Sequence, residues 1–109
     1  MLEPLLGSRV RELVLCYLAA RKQGYAREIA EFYQSSLSPI QIQLDRLEAG
    51  NILVSAPSGK TRVYSFNPRY PFLQELQGLL NKAISFLPQE KQDALFLIRK
   101  RPRRKSKPL

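Results

Sequence analysis

Residues 25–66 contain the pattern that most restricts the fold of this chain of 109 residues. Two short helical segments are separated by a polar joint, and two β-rich runs follow them without a long loop. The second helical segment has Ile40, Leu44 and Leu47 at positions i, i+4 and i+7, the spacing of one buried helix face. We therefore predict two helices joined by a tight turn, followed by a small hairpin.

The second helix has clear start and stop signals. Ser38 is positioned to cap it, and Pro39 lies in the first turn, where its missing N–H group costs nothing. Gln41 follows three residues after Ser38, as in a capping box, and Gly50 ends the segment. We predict a helix over residues 38–49.

The buried stripe determines which side chains of this helix can meet a partner. Successive residues are about 100° apart around a helix axis. The residues directed away from the stripe are Ile42, Asp45, Arg46 and Ala49, and the residues that flank it are Gln41 and Gln43.

Residues 52–56 and 61–66 are β-rich runs separated by four residues that include Pro57 and Gly59. Such a loop is typical of a hairpin. Upstream, Ser8 is a plausible N-cap for a first helix over about 8–22, which Gly24 ends.

A last long helix is predicted over about 71–87, with two apolar stripes. One stripe alternates spacings of three and four residues, as in a coiled-coil seam. It consists of Leu73, Leu76, Leu80, Ala83 and Leu87, and the second consists of Phe72, Leu79 and Phe86, with Ile84 beside it. One small core cannot bury both, so we expect one stripe to pack internally and the other against a second subunit. The candidate dimer-interface residues are Phe72, Leu73, Leu76, Leu79, Leu80, Ala83 and Phe86.

The net charge of +9 is unevenly distributed. Residues 99–109 carry seven basic side chains and no acidic one, whereas residues 1–98 carry 11 basic and 9 acidic side chains. We predict a domain over residues 1–87, a short helix over 88–98 and a disordered basic tail over 99–109. Such a tail can follow phosphates without choosing a sequence.

The composition argues against several classes of protein. The chain has no histidine and a single cysteine, Cys16, in an apolar helical pattern, so it can form neither an internal disulfide nor an ordinary zinc site. No Gly-rich phosphate loop and no serine with a plausible base are visible, so we expect no enzyme and no cofactor. No apolar stretch approaches the ~20 residues of a membrane span. One buried thiol suits a reducing cytoplasm.

The sequence of residues 38–68, SPIQIQLDRLEAGNILVSAPSGKTRVYSFNP, resembles the recognition helix and wing of bacterial winged helix-turn-helix regulators of the ArsR/MarR-like superfamily. The segments LLGSRVRELVLCYL and YAREIA are similar to their first and second helices. The resemblance implies a homodimer held by terminal helices, with helix 38–49 in the major groove of double-stranded DNA and the wing over 57–61 near its backbone. Metal-sensing members carry a set of cysteine, histidine and acidic ligands, which this chain, with one cysteine and no histidine, cannot supply.

Candidate DNA contacts fall into three groups. Gln suits the adenine edge and Arg the guanine edge, while an exposed isoleucine can touch a thymine methyl group. Hydroxyls at a helix N-terminus and basic residues at a wing suit phosphate. The base-reading candidates are Gln41, Ile42, Gln43 and Arg46, and the phosphate-binding candidates are Ser35, Ser36, Ser38, Lys60 and Arg62.

Two other functions stay open at this point. The fold could serve as a protein-interaction adaptor, with Ile42 in an apolar docking surface and the tail binding an acidic partner. Alternatively, the tail could lead RNA binding. The near-neutral body and the outward Asp45 favour the adaptor.

Overall fold

The computed structural model describes residues 1–97; residue 98 and the predicted tail over 99–109 lie outside the described residues. The described part contains six helices and three strands. In chain order these are α1 (Glu3–Leu6), α2 (Arg9–Arg21), β1 (Gln23–Gly24), α3 (Ala26–Tyr33), α4 (Leu37–Ala49), β2 (Leu53–Ser58), β3 (Thr61–Phe66), α5 (Leu73–Ser85) and α6 (Gln89–Phe96).

Helices α3 and α4 and the hairpin β2–β3 form a winged helix-turn-helix. The turn between the helices is short, because Gln34 adopts a left-handed conformation (φ 53°) and the Ser35 N–H group donates to the Ala30 carbonyl at 2.9 Å. The predicted fold class, mainly α with a small β-hairpin in a winged-helix arrangement, is confirmed.

The hairpin is part of a three-stranded antiparallel sheet with the order β1–β3–β2. The sequence predicted only an extended connection after Gly24, and the structure pairs that connection with β3, with Gly24 opposite Tyr64. A Cβ atom at position 24 would lie 2.8 Å from Tyr17 Cε1. Glycine is therefore required where this strand passes over α2.

The turn of the wing is tighter than predicted. Strand pairing continues to Ser58 and Thr61, so only Gly59 and Lys60 connect the strands. Gly59 has a φ of 62°, a conformation that glycine adopts without strain. The Lys60 side chain is thereby presented at the tip of the wing.

Helix α2 runs through the middle of the core. Val14, Tyr17 and Leu18 are completely buried, and α2 packs against both α4 and α5. The predicted stripe of α4 is confirmed, because Ile40, Leu44 and Leu47 are all buried. This packing fixes the rotation of α4 and hence its outward face.

Two predictions about helix starts had different outcomes. Ser8 caps α2 as expected, since its Oγ atom accepts a hydrogen bond from the Arg11 N–H group at 3.1 Å. The capping box at Ser38 is wrong: α4 begins at Leu37, and Ser36 occupies the N-cap position without a side-chain hydrogen bond. The short turn sets the start of α4, and Ser38 lies inside its first turn.

The long helix α5 separates its apolar residues as expected, but some assignments change. Leu80, Ala83 and Ile84 are buried within the subunit, so Leu80 and Ala83 are wrong as dimer-interface residues and Ile84 belongs to the inner face. Phe72 and Phe86 are 62% and 65% exposed. Leu79 is also exposed, whereas Leu73 and Leu76 are half-buried at the edge of the stripe.

Arg21 of α2 makes hydrogen bonds to helix α6, whose Leu95 side chain is buried in the core. The Arg21 guanidinium donates to the carbonyls of Leu95 (2.8 Å) and Ala94 (3.1 Å) at the end of α6. It also lies over the rings of Tyr17 and Phe32, at 4.8 and 5.0 Å from their centroids. The end of α6 is thus fixed beside the end of α2.

Cys16 is buried in the core, and burial raises the pKa of its thiol to about 11, with the Glu12 carboxylate acting in the same direction. At neutral pH it is a protonated, unreactive thiol. Within residues 1–97, no cluster of side chains could hold a metal ion. In the same range, no helix is long and apolar enough to cross a membrane.

Candidate nucleic-acid interface

A groove of about 440 Å³ lies between α4, the start of α3 and the wing. Its basic side chains are Arg27, Lys60 and Arg62, and Asp45 is its acidic one. Its other lining residues are Tyr25, Ala26, Leu37, Gln41, Thr61 and Tyr64. The groove brings together the helix and the wing that the sequence predicted to act together.

The outward face of α4 forms one side of this region. Ile42 is 45% exposed, and Asp45 and Arg46 are exposed as the stripe predicted. Within the described residues, the Arg46 guanidinium has neither a hydrogen bond nor an ion pair, so all of its donors can meet a partner.

Gln43 was predicted to read bases, and the structure argues against this role. Its side chain is buried (8% exposed), and its Oε1 atom accepts a hydrogen bond from Arg11 Nε at 2.9 Å. Arg11 also donates to the Leu6 carbonyl at 3.1 Å. Gln43 therefore connects α4 to α2 and to the end of α1, and it does not lie on the outward face.

Gln41 lies at the edge of the groove in a network that joins α4 to the wing. Its Nε2 atom donates to Asp45 Oδ1 at 2.9 Å and to Tyr64 Oη at 3.1 Å. The Tyr64 hydroxyl in turn donates to Asp45 Oδ1 at 3.3 Å. Burial raises the pKa of Tyr64, the hydrogen bond from Gln41 opposes this rise, and the Asp45 carboxylate adds to it. The hydroxyl thus stays protonated and remains a donor.

The two basic residues of the wing have different surroundings. Arg62 Nη1 donates to Ser55 Oγ at 3.0 Å, and that hydroxyl donates to Glu48 Oε2 at 2.6 Å. These hydrogen bonds hold the Arg62 side chain on the face of the sheet that is turned towards α4. Lys60 is exposed at the turn, and its ammonium group has no partner within residues 1–97.

The serines near the start of α4 are accessible. Ser35, Ser36 and Ser38 are all exposed, and the only side-chain bond among them that the described residues make runs from Ser35 Oγ to the Ser36 carbonyl at 3.1 Å. With no side-chain cap at Ser36, the first N–H groups of α4 are also open at this end.

Two residues of the groove were not predicted from the sequence. Arg27, in the first turn of α3, extends the basic lining away from the wing. Tyr64 is buried in β3 and reaches the groove only through its hydroxyl. The alternation of β3 could have placed Tyr64 on the inner face of the sheet, but nothing local indicates its partners on α4.

No family model matches the sequence, and no curated protein does. Among solved structures, the fold is similar to the crystal structure of the YusO protein from Bacillus subtilis, with a TM-score of 0.59 and 25% sequence identity. The similarity covers 84% of this chain and 72% of the YusO chain. It supports the winged-helix fold.

Proposed function

We propose that this chain is a bacterial, cytoplasmic regulator of transcription that binds double-stranded DNA as a homodimer. In this proposal, α4 enters the major groove and the wing lies along the backbone. The observation that carries it is the exposed outer face of α4 beside a groove lined by Arg27, Lys60 and Arg62. The resemblance to ArsR/MarR-like regulators supports the same function.

The dimensions of α4 suit this role. A helix of 13 residues is about 20 Å long, and the major groove is about 12 Å wide, enough to admit a helix. Ile42 and Arg46 lie on the outer face, where an apolar contact with thymine and a bidentate contact with guanine are available. The Asp45 carboxylate accepts hydrogen bonds from Gln41 and Tyr64, which offset only part of the repulsion between its negative charge and DNA.

Phosphate contacts are divided between the two ends of the site. Lys60 at the tip of the wing and Arg27 on α3 supply exposed positive charges, and Ser36 and Ser38 supply hydroxyls near the open N–H groups of α4. Residues 1–98 carry nearly equal numbers of basic and acidic side chains, so we expect these contacts to give a moderate affinity for DNA. We expect the tail over 99–109 to add a salt-dependent contribution.

Dimerisation is proposed to use the outer face of α5. Phe72, Leu79 and Phe86 recur every seven residues and are exposed, an arrangement that a second copy of α5 could cover. A dimer would place two α4 helices on half-sites about one helical turn of DNA apart, or a multiple of it.

The test is selection of bound sequences from a random duplex pool at moderate salt. We expect a palindromic motif, and we expect Arg46→Ala to weaken binding to it by about 1–3 kcal/mol while relaxing one base position. Lys82→Ala, which removes an exposed cation from α5, is the control and should leave the motif unchanged. A wild-type protein that enriches no sequence would overturn the proposal.

A protein-interaction adaptor is the second candidate, favoured by the exposure of Leu37 and Ile42 near the groove. Ile42→Glu separates the two functions: loss of a protein partner with unchanged DNA binding supports the adaptor. A third possibility, RNA binding led by the tail, requires that removing residues 99–109 abolish all binding.

A further inference from the structure

The network around Gln41 restricts what this side chain can offer to a ligand. The amide group has two hydrogen atoms, and its Nε2 atom has two acceptors within range, Asp45 Oδ1 at 2.9 Å and Tyr64 Oη at 3.1 Å. The Gln41 Oε1 atom accepts no hydrogen bond from the described residues, and Gln41 lines the groove. The donor half of the amide is therefore engaged, and the acceptor half is available.

The orientation of the amide follows from the chemistry of its neighbours. An ionised carboxylate only accepts hydrogen bonds. Turning the Gln41 amide by 180° would bring Oε1 against Asp45 Oδ1, two acceptors face to face. The Tyr64 hydroxyl also donates to Asp45, which leaves its oxygen as an acceptor for Gln41. Both neighbours thus favour the same orientation.

We infer that Asp45 and Tyr64 are positioning residues that make Gln41 an acceptor for the exocyclic amino group of a base; this rests on the proposed DNA-binding function. In the major groove, adenine N6 and cytosine N4 carry amino donors, whereas guanine and thymine present acceptors. The base that meets Gln41 is then adenine or cytosine. The bidentate contact of glutamine with adenine also needs the amide as a donor to N7, and the network occupies that donor.

The experiment compares base preferences of the full-length chain and its variants in the duplex selection. We expect the wild type to prefer adenine or cytosine over guanine or thymine at one position per half-site by about 3- to 10-fold, the effect of one hydrogen bond. Gln41→Ala should erase this preference at that position alone, which identifies the position that Gln41 contacts.

Two substitutions at Asp45 separate positioning from charge. Asp45→Ala releases the amide to rotate and donate, so guanine should become acceptable and the preference should fall to within about 2-fold. Asp45→Asn removes the same negative charge but keeps an acceptor oxygen for Gln41, so it should retain the preference. Both variants should bind all sequences somewhat more tightly, because a negative charge near phosphate is lost.

Tyr64→Phe provides a second variant, which removes one acceptor from the amide and keeps the buried ring. We expect a preference between those of the wild type and Asp45→Ala. A guanine or thymine preference at the position defined by Gln41→Ala would overturn the inference and leave the proposed function standing. So would an undiminished preference in Asp45→Ala.

A measurement without DNA keeps the two proposals distinguishable. In nuclear magnetic resonance spectra of the free, full-length protein, the Gln41 side-chain amide protons should exchange slowly with water, and Asp45→Ala should speed this exchange. Fast exchange in the wild type would overturn the positioning role even if a DNA motif is found. If no motif is enriched, the proposed function fails, and the inferred base choice fails with it.

Discussion

Helices α4 and α5 have the same length, 13 residues, but the residues on their outer faces differ in chemical character. Each buries one apolar stripe against α2, through Leu44 in α4 and Leu80 in α5. Outside, α4 carries the charged residues Asp45 and Arg46 beside Ile42, whereas exposed phenylalanines at positions 72 and 86 flank the two ends of α5. The inner faces therefore account for the fold, and the difference between the outer faces is the reason why we propose DNA as the partner of α4 and a second copy as the partner of α5.

The largest expected effects concern the inner faces, where the two helices should behave alike. Leu44→Ala and Leu80→Ala each remove a completely buried side chain, so each should lower the free energy of unfolding by about 2–5 kcal/mol. Urea denaturation followed by circular dichroism, at several protein concentrations, measures this. Ile42→Ala, on the outer face of α4, is the control and should cost less than about 1 kcal/mol. If Ile42→Ala lowered the free energy of unfolding as much as Leu44→Ala, the result would show that α4 does not expose this face.

The second largest expected effect is on self-association, which should depend on the outer face of α5 and not on that of α4. Phe86→Glu adds a charge to the apolar face of α5, so we expect the dissociation constant of the dimer to rise at least 100-fold, about 2.7 kcal/mol. Sedimentation measurements over a range of concentrations test this. Ile42→Glu is the matched control, since it adds the same charge to an exposed apolar residue of α4 and should leave self-association unchanged. A wild-type protein that is monomeric at every concentration would contradict the assignment of this face to a second copy.

The inner faces were predictable from the sequence because they depend on local periodicity. The spacing of Ile40, Leu44 and Leu47 fixes one side of a helix whatever that side packs against. The same reasoning predicted that α5 would divide its apolar residues between two surfaces. Periodicity placed Leu80 and Ala83 in the inner stripe and also among the dimer-interface residues, because two adjacent stripes on one helix overlap. Only the packing of α5 against α2 shows that both residues belong to the inner face.

The features that the sequence did not reveal depend on residues far apart in the chain. Gln43 flanks the stripe of α4, and only its bond to Arg11, 32 residues earlier, draws it inward. Strand β1 is two residues long and exists as a strand through its pairing with β3. The position of Gln41 likewise depends on Tyr64 in the wing. Helical angles and capping rules contain none of this information.

The smallest expected effect tests whether the charge that matters for DNA lies beside α4. Lys60 has no partner within the described residues, so Lys60→Ala should remove one phosphate contact without disturbing the wing. We expect affinity to fall about 2- to 5-fold for every duplex sequence and the slope of log affinity against log salt to decrease by about 1. Titrations at four or more salt concentrations, with both the selected motif and a scrambled duplex, measure both quantities.

Lys82→Ala makes this test specific, because it removes the same charge from an exposed position on α5. If DNA responded only to the net charge of the molecule, the two variants would lose the same affinity at low salt. If DNA lies against α4 and the wing, only Lys60→Ala changes the salt slope, since releasing a counterion requires a phosphate at the cation. Equal salt slopes for the two variants would therefore argue that the wing makes no phosphate contact. The proposal that α4 binds DNA would then depend only on the base preferences of the Arg46 and Gln41 variants.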